Sequence, residues 1–183
     1  MEKNSDTKTV IKAFFAWEDE KEEQWLQKMA AEGWRLEYVV PYVYKFHRSA
    51  PEDVVYRLDY KLTLDKDYAE YLNLFRDSGW QLFASFSNWH YFRINPKNHE
   101  IPEIYNSSRA KAQKYRRLLF VLLPLSLIGV FLVLNIFDSN DPLFSSGFFS
   151  IITIVCGIVY LFMFYAVIRV WIKIRKLESQ SKE

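Results

Sequence analysis

The chain contains one cysteine and five glycines in 183 residues. A lone thiol, Cys156, excludes an intrachain disulfide framework. The glycines are too sparse for a phosphate-cradling loop, and neither a Gly-x-Ser-x-Gly elbow nor a His-Glu-x-x-His pair occurs. Three histidines, His47, His90 and His99, lack metal-ligand spacing and have no cysteine near them, so neither a metal nor another cofactor is expected. Residues 1–9 are polar without an apolar core, which argues against a cleavable signal peptide.

Two stretches lack Asp, Glu, Lys, Arg and His altogether: twenty residues at 118–137 and twenty-one at 148–168. A bilayer core about 30 Å thick takes roughly 20 helical residues to cross, so each stretch predicts a transmembrane helix. The absence of charge within them argues against an ion or proton path. Pro124 is expected to bend the first span. Gly147, Ser150, Thr153 and Gly157 put small residues on one face of the second, for packing on Ser126 and Gly129 or for a homo-oligomer.

Basic residues flank both spans: Arg109, Lys111, Lys114, Arg116 and Arg117 before the first, Arg169, Lys173, Arg175 and Lys176 after the second. The connection at 138–147 has two aspartates and no Lys or Arg. Cationic segments resist translocation, which places both termini in the cytoplasm and the loop outside. The clusters also fit contact with anionic head groups, with Tyr115 and Trp171 as interfacial anchors. Residues 1–100 carry 14 Lys or Arg against 17 Asp or Glu, so the folded part has no basic footprint for nucleic acid. The expected organisation is a soluble domain at 1–100, a basic linker at 101–117, the two spans, and a cytoplasmic tail at 169–183.

The soluble part reads as a duplication. Residues 24–36 align without a gap with residues 70–82, matching Trp25 to Tyr71, Leu26 to Leu72, Met29 to Phe75 and Gly33-Trp34 to Gly79-Trp80. Apolar residues at helical spacing end at glycines placed for left-handed caps, and a period of two follows. The predicted unit is strand-helix-strand-strand, occurring twice (about 8–47 and 54–94). The first strand, at 10–17, is out of step with its counterpart at 56–62. Two helices on one antiparallel sheet give an α+β fold.

Glu18-Asp19-Glu20 and Glu22-Glu23 read as a helix start, because carboxylates favour the positive end of the dipole. Arg57 and Asp59 share a strand face opposite tyrosines, and are expected to form a polar floor on the sheet face away from the helices, or a cross-strand ion pair. Trp89, His90 and Arg93, on a strand rich in aromatics, complete the candidate ligand-binding set, with His90 expected to face outward. Asp59, His90 and Arg93 form no recognised catalytic constellation. Residues 1–100 include 20 Phe, Tyr or Trp, more than a small core needs, which suits a pocket for flat or cationic ligands or a protein interface.

Residues 14–26, Gly33-Trp34, residues 56–60, Gly79-Trp80 and residues 87–93 together resemble a bacterial family known as domain of unknown function 2812, over about residues 8–95. The resemblance implies a cytoplasmic domain of that kind, often followed by two membrane spans, and assigns no activity. The paired units also look like the duplicated modules of gyrase-inhibitor-like domains, which hold small, often aromatic cations in a groove between the copies; this is an analogy of architecture alone. The expectation is a membrane-anchored, non-enzymatic regulatory or sensory protein that binds a small ligand or a protein partner. The alternative is a structural accessory of a transporter or sensor complex, associating through the second span.

Overall fold

Alternating apolar residues, with turn residues at the points where the alternation stops, produce six strands. The computed structural model describes residues 6–96, 101, 102, 104, 105, 107–138 and 147–180. Its elements are β1 (Thr7–Ile11), α1 (Asp19–Ala31), β2 (Trp34–Val40), β3 (Val43–Arg48), β4 (Val55–Tyr60), α2 (Tyr68–Asp77), β5 (Gln81–Phe86), β6 (Trp89–Ile94), α3 (Ser108–Asp138) and α4 (Gly147–Gln180). The chain divides into two compact units, residues 1–106 and 107–183.

The first unit repeats strand-helix-strand-strand. Gly33 and Gly79 both take positive φ, 82° and 85°, one residue past each helix cap. Tyr42 and Asn88, 46 positions apart like the two glycines, sit at the hairpin turns with φ of 64° and 66°. Each copy also breaks register at the same point, between Leu36 and Tyr38 in β2 and between Leu82 and Ala84 in β5. A shared bulge is a stronger sign of duplication than shared hydrophobicity, because bulges are specific local features.

The single sheet expected from the sequence is instead two three-stranded antiparallel sheets, ordered β1-β3-β2 and β4-β6-β5. Two features keep them apart. The bulges lie on edge strands β2 and β5, where extra twist disfavours further pairing. At the free edge of β4, a helix supplies the hydrogen bonds instead of a strand. Glu23 Oε1 accepts the Leu58 N–H at 2.8 Å, and Gln27 Nε2 donates to the Tyr56 carbonyl at 3.4 Å.

The copies therefore stack in tandem. Leu26, Met29 and Ala30 of α1 pack with Leu36, Tyr44 and Phe46 of the first sheet, and with Tyr56, Leu58 and Tyr91 from the back of the second. The front of the second sheet packs on α2 in a smaller cluster of Val55, Phe75, Trp80 and Phe92, with Phe75 and Phe92 stacked at 4.0 Å. This order explains the misfit of the first strand. β1 is Thr7–Ile11 and not the expected 10–17, residues 12–17 being loop, and Thr7, Thr9 and Ile11 lie on the outer face of the stack, exposed. Their counterparts by strand pairing, Tyr56, Leu58 and Tyr60, are buried, so the two strands need opposite patterns.

In the second unit α3 and α4 pack against each other through Ala112, Tyr115 and Leu118 on one helix and Ala166, Val170, Ile174 and Leu177 on the other. Arg116 pairs with Glu178, and Lys173 Nζ lies 4.6 Å from the Tyr115 ring centre. The basic segment expected as a linker is helical from Ser108 onward, and the expected tail continues α4 to Gln180. Pro124 lies inside α3 without ending it. A Cβ at Gly129 would collide with the Tyr160 ring, so this glycine admits a tyrosine and not the small face of α4. Gly157 faces open space. Among the described residues one helix, Ile151–Gln180, is long and apolar enough to cross a membrane, and Leu161 and Ile158 on it are exposed. Most of the expected loop at 138–147, and His99, lie outside the described residues.

Candidate functional site

A cavity of about 230 Å³ opens at the hairpin-turn end of the first unit. It is built from both copies. Phe14, Phe15 and Ala16 reach it from the loop after β1, Asp19 and Glu22 from the first turns of α1, and residues 40–42 with Tyr44 from the first hairpin. The second copy adds Leu58 of β4 and Phe86, Ser87, Trp89 and Tyr91 of the second hairpin. Among the described residues its lining holds two carboxylates and no Lys, Arg or His. Phe15, Tyr42 and Phe86 form a rim that is 37–51% exposed.

Glu22 is the chemical centre of this cavity. It is 6% exposed, and its Oε1 accepts hydrogen bonds from Tyr44 Oη at 2.7 Å and Tyr91 Oη at 2.8 Å. One tyrosine comes from each copy, so the carboxyl bridges the duplication. Burial raises its pKa above the ordinary glutamate value; the two phenol hydrogen bonds oppose that rise, and Asp19 adds to it. Burial and the Glu22 charge push both tyrosines up, so they remain donors throughout the physiological range.

The acidic run thus does more than start a helix. Glu18 is the N-cap residue and makes no side-chain cap bond to the helix, although its carboxylate accepts the Phe15 N–H at 3.3 Å and pairs with Lys21. Asp19, Glu22 and Glu23 are buried. The signal for this was the helical period itself. Extending the apolar stripe backward from Leu26 by three, four and seven residues lands on Glu23, Glu22 and Asp19.

Of the five residues expected to bind ligand, the structure brings only Trp89 to the cavity. Arg57 and Asp59 do not floor an open sheet face, because α2 covers that side. Asp59 is 2% exposed and accepts hydrogen bonds from Tyr71 of α2, at 2.9 Å, and from Tyr105. Arg57 turns toward α1, 3.5 Å from Glu23 Oε2, in place of a pair with Asp59. Arg93 donates through Nε to Gln81 at 3.0 Å and lies over the Phe83 ring.

His90 is a correction as well: it is fully buried beneath Tyr68 and Tyr71 of α2. Its Nε2 lies 3.1 Å from the Lys61 carbonyl and its Nδ1 2.9 Å from Ser85 Oγ. A carbonyl can only accept, so Nε2 carries the proton and Nδ1 accepts from the serine. Burial lowers the His90 pKa below 6.5; the Lys61 carbonyl and Asp59 oppose the shift. The folded state therefore binds fewer protons at His90 than the unfolded chain just below pH 6.5. Stability from this group is present above that pH and is lost as pH falls toward the lowered value. In denaturant titrations of the whole chain in detergent, His90→Gln, which keeps a donor and an acceptor, should flatten the loss of stability between pH 7 and 5. Equal slopes for both proteins would contradict the assignment.

No group of three or more His, Cys, Asp or Glu able to hold a metal ion occurs among the described residues. No curated protein and no solved structure matched the chain. A family model described as a protein of unknown function, DUF2812, matches residues 18–127, beginning at the α1 cap and running past the second copy into α3. With more than half its length inside that match, the chain belongs to the DUF2812 family.

Proposed function

We propose that this is a membrane-anchored, non-enzymatic sensory protein whose N-terminal unit captures a small, flat organic cation in the cavity between its two copies. The observation that carries this reading is Glu22, a buried carboxyl held by one tyrosine from each copy within aromatic walls. Aromatic faces attract cations, and a carboxylate at the floor supplies the counter-charge. A site shared by two copies also lets occupancy bias how the copies pack, which suits a regulator.

The uncharged runs at 118–137 and 148–168 support two spans, and the nine flanking cations support cytoplasmic termini; Lys114 is buried and Arg116 pairs with Glu178, so contact with anionic head groups falls to the other seven. The open side of Gly157 favours a second reading, in which α4 associates with another helix, from a second copy or a transporter or sensor subunit. Replacing Gly157 with leucine should then lower cross-linking between copies or to that subunit. Unchanged cross-linking would remove this reading.

The ligand reading is tested by calorimetry on the full chain in detergent with an isosteric pair. Benzyltrimethylammonium should bind saturably, and neopentylbenzene, equal in shape and uncharged, at least about tenfold more weakly, a difference of about 1.4 kcal/mol. Equal binding of the two would remove the charge requirement, and no saturable binding of either would remove the site.

A further inference from the structure

We propose that the cavity selects protonated amines: a ligand ammonium donates one N–H to Glu22 Oε2, a contact that quaternary ammonium ions cannot make. This inference rests on the ligand reading above and adds the class of cation that the site takes. Its basis is the unequal use of the two oxygens of one carboxyl. Glu22 Oε1 accepts from Tyr44 Oη at 2.7 Å and from Tyr91 Oη at 2.8 Å, while Oε2 accepts from neither.

Oε2 is the oxygen that meets the cavity. Among the described residues, every fully buried side-chain oxygen or nitrogen has a hydrogen-bond partner. Oε2 has none, so it keeps some accessible surface, and Glu22 shows its small exposed area to the cavity it lines. The two phenols, one from each copy, hold this orientation. Turning the carboxyl over exchanges its oxygens and restores the same arrangement, so one oxygen is held and the other open in either case.

A carboxylate oxygen offers about two acceptor sites. Two hydroxyls fill those of Oε1, and those of Oε2 remain for a ligand. This division decides which cations fit. A guanidinium or amidinium grips a carboxylate through both oxygens, and here one is taken. A single ammonium N–H needs only one oxygen, at about 2.7–2.9 Å. A quaternary ammonium has carbon all round its nitrogen, so its charge stays farther from Oε2, and that oxygen is cut off from water without gaining a donor. Sites built to hydrogen-bond a ligand discriminate against analogues that lack the group, because a buried polar atom is then left unmet. The aromatic walls, Phe14, Phe15, Phe86 and Trp89, attract all of these cations. The choice among them falls to Oε2.

The test is calorimetry on the full chain in detergent at neutral pH with three probes. N,N-dimethylbenzylamine is protonated there and carries one N–H; benzyltrimethylammonium carries none; benzamidinium carries a fork. The first should bind at least about tenfold more tightly than either of the others, a difference of about 1.4 kcal/mol. In Glu22→Gln the amide oxygen can take both phenol hydrogens, which turns its NH2 group, a donor, toward the cavity. The preference for N,N-dimethylbenzylamine over benzyltrimethylammonium should then disappear. The comparison of probes on the unsubstituted chain stands whether or not the variant folds. Equal saturable binding of the two ammonium ions would overturn the donor contact and leave the ligand reading intact. Benzamidinium binding as tightly as N,N-dimethylbenzylamine would overturn the single-oxygen contact in the same way. A preference that survives in Glu22→Gln would move the contact to another lining acceptor, such as Asp19 or Ser87, and overturn the assignment to Oε2. No saturable binding of any probe to the unsubstituted chain would overturn both the contact and the ligand reading.

Discussion

Replacing Glu23 with alanine should destabilise the first unit by about 2–3 kcal/mol. The carboxylate is 8% exposed, and its Oε1 is the partner of the Leu58 N–H at the free edge of β4. Removing it leaves a buried backbone donor without that acceptor, which costs about 1–3 kcal/mol, and opens a strand edge that α1 otherwise closes. The contact with the half-exposed Arg57, at 3.5 Å, adds little, because solvent screens it. Glu23→Gln keeps an oxygen at the same reach and should lose under about 1 kcal/mol. Denaturant midpoints of the full chain, followed by tryptophan fluorescence, separate the two variants. Equal losses would show that the charge matters and not the edge hydrogen bond.

The second large effect is expected from Ala16→Trp. Ala16 and Ser87 are the smallest side chains lining the cavity, and the loop carrying Ala16 between β1 and α1 lies outside regular structure. Ser87 takes φ of 48°, a left-handed conformation that a bulky residue tolerates poorly, so Ala16 is the better position to fill. An indole there would take up much of the 230 Å³. Binding of benzyltrimethylammonium should weaken by at least about 100-fold, some 2.7 kcal/mol, while the denaturant midpoint stays within about 0.5 kcal/mol. Undiminished affinity would place the ligand elsewhere.

The duplication was legible because glycine and tryptophan mark backbone geometry. Gly33 and Gly79 take the left-handed conformation their positions implied. The stacking of the copies was not legible. Strand alternation shows that Tyr56, Leu58 and Tyr60 share a face, but cannot say that this face meets the helix of the other copy. Once it does, Asp59 and His90 must lie under α2, where they are satisfied core groups and not an exposed polar floor. Trp89 lines the cavity because it directly follows the second hairpin turn, away from α2. Glu22 was missed because a carboxylate on a first helical turn has a ready explanation in the helix dipole. Only the burial stripe running through it separates the two roles.

Photolabelling reads the central assignment most directly. A benzophenone carrying a quaternary ammonium group, irradiated with the full chain in nanodiscs and mapped by mass spectrometry, should label peptides containing residues 40–44 and 86–91, the two hairpin ends around the cavity. Excess benzyltrimethylammonium and the Ala16→Trp substitution should each abolish that labelling. Modification confined to α3 and α4, or indifferent to both controls, would contradict the account.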